Sequence, residues 1–250
     1  MKQFRLLGMA LLALIMSVGF VACSSSDDDD NNGGGSITSG KKLMSINYDA
    51  ETINFVYGED GKLDQTTYID KYNERYSGSI NYSWNGNTIT ATKKENGRTN
   101  SYTIKLQDGK ISSTNAIDGY VEAITYSGNY IKEIEGYFSD KYTWENGNIT
   151  KIDDNINITY YTDKVNKHSS IIDVSVLNLD HASFDLNDLI MAHPNLVGTS
   201  NQNLIKSVTY TDTSHDGTAN YSYELDKDGY PTKITETDGS DTTVYTLTWK

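Results

Sequence analysis

Residues 80–111 read INYSWNGNTITATKKENGRTNSYTIKLQDGKI, and this stretch decides the fold. Asn85-Gly86, Asn96-Gly97 and Asp108-Gly109 punctuate it. Asn-Gly and Asp-Gly supply the positive φ angles of a two-residue hairpin turn. Between the turns Ile80, Tyr82 and Trp84 alternate with Asn81 and Ser83, and Tyr102, Ile104 and Leu106 alternate with Thr103 and Lys105. Alternation with period two gives each strand one apolar and one wet face. The train continues through Asp118-Gly119 and Ser127-Gly128, its glycines 11, 12, 10 and 9 residues apart, so each interval holds one strand. It returns at Asp216-Gly217, Asp228-Gly229 and Asp238-Gly239.

A longer repeat lies above the turns. Tyr82-Ser83-Trp84-Asn85-Gly86-Asn87-Thr88-Ile89 matches Tyr142-Thr143-Trp144-Glu145-Asn146-Gly147-Asn148-Ile149 in pattern. Each unit is a hairpin whose incoming strand ends on an aromatic or Leu. A meander with a single apolar face must close on itself or fold into two layers. We expect an all-β, antiparallel up-and-down meander that closes into a barrel. One short helix interrupts it, because Leu186, Leu189, Ile190 and His193 fall at i, i+3, i+4 and i+7. Ser183 is placed to cap that helix and Pro194 to stop it. Such a helix suits a plug for a barrel end or a cover for an open edge.

The start of the chain carries an address. Lys2 and Arg5 precede an apolar run from Leu6 to Phe20. That run is shorter than the roughly 18 residues a spanning helix needs, and it suits a signal peptide. Phe20-Val21-Ala22-Cys23 resembles the lipobox of bacterial lipoproteins, with Phe20 where Leu is usual. The expected organisation is a signal peptide over 1–22, a lipidated Cys23 opening a disordered tether over 23–40, and one β-barrel domain over 41–250. The tether contains Ser24 to Ser26, Asp27 to Asp30 and Gly33 to Gly35, with no apolar group to bury. Cys23 is the only cysteine, so no intramolecular disulfide forms.

Charge and motifs limit the chemistry. The formal net charge is -13, and loss of Lys2 and Arg5 with the signal peptide takes it to -15. An anionic surface with no Lys/Arg cluster along the sequence argues against nucleic acid as a partner. His168, His181, His193 and His215 are scattered without metal-ligand spacing. Glu224, Asp226, Asp228 and Gly229 imitate the start of a calcium loop, but Thr235 stands at its twelfth position, so a hairpin turn is the better reading. Asp153 and Asp154 are adjacent, which on a strand turns them to opposite faces and leaves no acid/base pair. No G-x-S-x-G elbow occurs. No catalytic residue, metal or cofactor is therefore expected, and the protein reads as no enzyme.

Aromatic residues are the remaining candidates. Tyr82, Trp84, Tyr126, Tyr142 and Trp144 sit on strands next to turns, where rings facing a lumen or rim stack on sugar faces or hold apolar ligands. Cross-strand packing is the competing use of the same rings.

The lipoprotein start, the Tyr-rich hairpins around Trp144-Glu145-Asn146-Gly147-Asn148-Ile149, and the late helix followed by Asp226-Lys227-Asp228-Gly229-Tyr230-Pro231 resemble an uncharacterised family of Bacteroidetes lipoproteins. The resemblance implies a porin-like β-barrel fold and brings no catalytic residues. Cysteine followed by serines and an acidic run likewise resembles the surface-export signal of Bacteroidetes outer-membrane lipoproteins. It implies an outer-membrane, lipid-anchored protein on the cell surface; a spacer facing the periplasm is the alternative. The function expected is a non-enzymatic binding module for a small molecule or glycan fragment. The alternative is a structural or adhesive protein that binds an envelope protein partner.

Overall fold

Left-handed turn residues set the course of the chain. Asn96 and Gly97 have φ of 49° and 70°, Asp108 and Gly109 52° and 73°, and Asn146 and Gly147 51° and 76°. Two consecutive positive φ angles define the type I′ turn, whose twist matches the strands it joins. At Gly86, Gly128 and Gly239 only the glycine is left-handed, and the turn runs on through Asn87, Asn129 and Ser240. There the tip lies one residue later than the dipeptides Asn85-Gly86, Ser127-Gly128 and Asp238-Gly239 place it.

The structure is a computed structural model and describes residues 40–250 apart from 116–120, 137–138, 170, 178–183 and 213–214. Asp118-Gly119, Ser183 and His181 lie outside the described residues, as do Cys23 and the whole segment before residue 40. The first eight strands are β1 (Leu43–Tyr48), β2 (Glu51–Tyr57), β3 (Leu63–Asp70), β4 (Gly78–Asn85), β5 (Thr88–Glu95), β6 (Arg98–Gln107), β7 (Lys110–Asn115) and β8 (Val121–Ser127). The second eight are β9 (Tyr130–Gly136), β10 (Asp140–Glu145), β11 (Asn148–Ile152), β12 (Ile156–Val165), β13 (Asn203–Asp212), β14 (His215–Leu225), β15 (Pro231–Asp238) and β16 (Asp241–Trp249). Asp216-Gly217 is not a turn. Both residues lie within β14, opposite Thr211 and Tyr210 of β13, in a ladder that runs on to the Asp212–His215 pair.

All sixteen strands form one antiparallel sheet in the order β7 to β1, then β16 to β8. The first strand thus lies in the middle of the sheet, and β1 pairs with β16 from Leu43–Trp249 to Tyr48–Tyr245. The two sheet edges, β7 and β8, are neighbours along the chain. Among the described residues no ladder joins them and side chains do: the Val121 N–H donates to Thr114 Oγ1 at 3.1 Å, and Lys110 Nζ donates to the Gly128 carbonyl at 3.0 Å. The result is a nearly closed, up-and-down barrel, as the turn train predicts.

The apolar face is the inner one. Ile46, Ile53, Phe55, Ile80, Ile89, Ile104, Ile134, Ile158, Val208 and Ile234 are buried, and the inward side chains of the wall and the inserted helices form one apolar cluster. The intervening residues, such as Thr99, Ser101, Lys105, Lys141, Thr143 and Glu145, are exposed or half exposed. Large apolar side chains with substantial exposure, such as Val56, Val165 and Val244, occur singly. A lipid-facing band needs an unbroken outer apolar belt about 25 Å tall, and this wall has polar groups in its place. Among the described residues no helix is long and apolar enough to cross a membrane.

The one long excursion follows β12. It contains α1 (Ile171–Val176), α2 (Phe184–Ala192) and a 3-10 turn over Pro194–Val197. The Leu186, Leu189, Ile190 pattern marks α2 correctly, and Pro194 ends it by opening the 3-10 turn. The six-residue α1 has no comparable sequence signal, since it is shorter than two full turns.

Candidate functional site

The barrel has two unlike ends. At one end lie the tips 58–62, 86–87, 108–109, 128–129, 146–147 and 226–230, the two ends of the described chain, and the inserted helices. The insertion is anchored to this rim by backbone bonds: the Thr199 N–H donates to the Asn129 carbonyl at 2.7 Å, and the Gln202 N–H to the Gly147 carbonyl at 3.0 Å. Asn201 adds a side-chain clamp, accepting the Ile149 N–H at 2.9 Å while its amide donates to Asp173 of α1 at 3.2 Å. Leu189 and Ile190 are fully buried, so α2 plugs this end.

A collar of rings surrounds the plug. Six of the eight even-numbered strands place an aromatic side chain at this rim, and each ring donates to a carbonyl at the start of the preceding strand. The donors and acceptors are Tyr57 to Leu43 (2.9 Å), Trp84 to Leu63 (2.9 Å), Tyr126 to Ile111 (2.8 Å), Trp144 to Ile131 (2.7 Å), Tyr160 to Ile149 (2.7 Å) and Trp249 to Pro231 (2.6 Å). The other two carry leucines at this position, Leu106 in β6 and Leu225 in β14, whose side chains have no donor. At all six acceptors the odd strand shows a register shift against its other neighbour, as Leu63 does against Tyr57 and Ile111 against Leu106. A bulge frees a carbonyl from its ladder, and the ring satisfies it. The Tyr126 bond crosses the β7–β8 seam, so the collar continues where the ladder stops.

This use of the rings gives a direct test. Tyr57→Phe, Tyr126→Phe and Tyr160→Phe each keep the packing and delete one bond, so each should lower unfolding free energy by about 1 kcal/mol in urea titration. A variant as stable as the parent would show its carbonyl to be satisfied by water.

The five rings singled out by sequence therefore have known surroundings. Trp84 and Trp144 belong to the collar, and Trp84 also stands edge-on to His193 at 5.3 Å between ring centres. Tyr126 bridges the seam. Tyr82 is buried in the core, and Tyr142 is buried with its hydroxyl donating to the Leu177 carbonyl behind α1 at 2.6 Å. His193 caps the arrangement: Nε2 accepts the buried Leu63 N–H at 2.9 Å, which fixes the neutral ring with its proton on Nδ1. Burial pushes its pKa down to about 4. His168 stands edge-on to Trp249 at 5.0 Å between ring centres.

The acidic β14–β15 turn is occupied from within the chain. Lys41 Nζ lies 2.6 Å from both Asp226 and Asp228, and Asp226 also accepts the N–H groups of Asp228 and Tyr230 at 2.9 Å. The Lys41 hydrogen bond holds the Asp226 pKa down to about 2. Among the described residues no group of three or more His, Cys, Asp or Glu is placed to hold a metal ion. Asp153 has φ of 48° and makes the β11–β12 turn with Asp154.

Toward the opposite end the inner wall becomes polar. Tyr48 donates to Glu51 at 2.9 Å, and Tyr221 and Tyr245 donate to the two oxygens of Glu236 at 3.2 and 2.8 Å. Burial raises the Glu51 pKa, against the lowering effect of the Tyr48 hydroxyl. Beyond this layer a cavity of about 270 Å³ opens between the β5–β6 hairpin and the β3–β4 loop. Lys93, Glu95, Arg98 and Asn100 line it from the hairpin, and Arg75 and Tyr76 from the loop. Lys93 faces Asn100 and Glu95 faces Arg98 in the ladder, in step with the buried pair Ile89–Ile104 and with buried Ala91 opposite half-buried Tyr102, so all four point inward. The loop is shaped by local bonds: Asp70 Oδ1 accepts the N–H groups of Tyr72 (2.6 Å) and Asn73 (3.0 Å), and Asn73 Oδ1 accepts that of Arg75 (3.2 Å). Sequence reasoning finds no basic cluster because positions 75, 93 and 98 meet only when the two hairpins pair.

Comparison with solved structures agrees with the fold. A porin-like protein from Bacteroides uniformis superposes with a TM-score of 0.60 at 15% identity, over 83% of this chain and 98% of that one. A porin-like protein from Bacteroides vulgatus gives 0.56 at 12% identity, over 84% and 99%. No family model matches the chain, and no curated protein does.

Proposed function

We propose that this protein is a surface-displayed outer-membrane lipoprotein whose barrel binds a small molecule or glycan fragment, without catalysis, at the mouth opposite its plug. The observation that carries the reading is the opposition of the two ends. Lys42 and Lys250 exchange backbone bonds at 2.8 and 3.0 Å on the plugged rim, so a tether over residues 23–40 leaves from that side. A lipid on Cys23 then turns the plug toward the membrane and the cavity away from it. The polar outer wall suits a barrel hung from an anchor rather than inserted in lipid.

The collar rings hold the plug and the wall, which moves the expected ligand contacts from Tyr82, Trp84, Tyr126, Tyr142 and Trp144 to the distal mouth. A glycan array probed with the full chain in detergent, followed by thermal shift with each hit, tests the reading. A bound ligand raises the melting temperature by mass action. Absence of any hit on the array together with no shift would count against a binding module.

A further inference from the structure

We propose that the distal cavity takes a single carboxylate-bearing sugar unit, such as a hexuronate at a glycan end, held by the Arg75 and Arg98 guanidinium groups. This deepens the binding reading above and rests on it. Composition gives the first reason. The chain has three arginines, Arg5, Arg75 and Arg98, against eighteen lysines, and the first falls in the expected signal peptide. Both remaining arginines line the same cavity. Arginine differs from lysine in offering a rigid planar fork that matches a carboxylate through two parallel bonds.

Local charge is the second reason. Among the described residues that line the cavity, Arg75, Arg98 and Lys93 set three cations against the one carboxylate of Glu95; Glu51, beneath the lining, draws on Lys93 and leaves the two guanidinium groups as the cations for a ligand. Glu95 is engaged by Lys93 at 3.5 Å, and among the described residues neither guanidinium makes an ion pair or hydrogen bond. The third reason is shape. Tyr76 is 44% exposed at the cavity, so its ring offers a face for a sugar. Asn96 and Asn100 supply amides for hydroxyl groups, and Glu95 supplies an acceptor. The volume lies just below the roughly 300–1,000 Å³ of drug-sized pockets, which suits one sugar ring rather than a chain. Glu95 also disfavours a doubly charged phosphate more than a singly charged carboxylate.

Calorimetric titration of the full chain in detergent with glucuronate, galacturonate, glucose and glucose 6-phosphate tests the assignment. One of the uronates should bind, with glucose at least tenfold weaker, and R75Q or R98Q should each weaken the uronate tenfold or more. Both positions are exposed, so an unchanged melting curve for each variant confirms that folding is intact. Preference for the phosphate sugar, or uronate binding untouched by both substitutions, would overturn the assignment. Failure of all four sugars beside a neutral glycan hit on the array would overturn it while leaving the binding function standing; failure of both experiments would remove the two together.

Discussion

Replacing Gly198 with alanine is expected to destabilise the protein by roughly 3 kcal/mol or more. Gly198 has φ of 85° and ψ of -136°, a region open essentially to glycine alone. An added Cβ would also collide with the Asn129 carbonyl oxygen. That oxygen has little freedom to retreat, because it accepts the Thr199 N–H that docks the plug on the β8–β9 tip. Two separate costs therefore meet at one atom. Gly239 provides the control: its φ is 57°, but nothing lies within 4 Å of the added carbon. Gly239→Ala should cost only about 1 kcal/mol, from backbone conformation. Urea unfolding of both variants gives the comparison, and amide exchange at Thr199 reports whether the plug has lifted. Equal losses at the two glycines would show that the plug does not press on the rim.

The second large effect is a loss of stability in acid that runs through His193. Its folded pKa of about 4 lies below the unfolded value near 6.5, so the unfolded chain binds the extra proton first. The His193 contribution is complete above pH 6.5, declines as pH falls, and is gone by about pH 4. At about 1.36 kcal/mol per unit the total is roughly 3 to 3.5 kcal/mol. The structural cause is plain: protonation of Nε2 removes the acceptor of the buried Leu63 N–H and puts a charge among Tyr57, Trp84 and the plug. Glu51 acts in the opposite sense, since its raised pKa relieves a buried charge on acidification. Wild-type profiles mix the two, so the difference between wild type and H193Q is the quantity to measure. Gln retains an acceptor for Leu63 and does not titrate. The difference should grow from pH 6.5 to 4; parallel profiles would assign the acid loss to other groups.

Much of the barrel is legible along the chain because its determinants are local. Asn96-Gly97 and Asn146-Gly147 reverse the chain by their own φ preferences, and the Ile80-Tyr82-Trp84 alternation marks an apolar face wherever the strand lies. Asp216-Gly217 misleads for the same reason: a pair that favours a turn is taken into β14 because its ladder partners Thr211 and Tyr210 in β13 outweigh the preference. Aromatic residues before turns are visible in the sequence, but their use is not. Whether Trp144 reaches a ligand or the Ile131 carbonyl depends on a bulge in another strand.

The sequence by itself determined the strands, most of their turns, the helix at 184–192 and the polarity of each face, since these follow from neighbours a few residues apart. Tertiary structure alone decided which face turns inward, which end the insertion plugs, and where charge gathers. Closure through β1 and β16 puts both ends of the described chain on the plugged rim, and the approach of the β3–β4 loop to the β5–β6 hairpin gathers Arg75, Lys93 and Arg98 at the other. Those placements depend on contacts between residues far apart in the chain, and no local pattern encodes them.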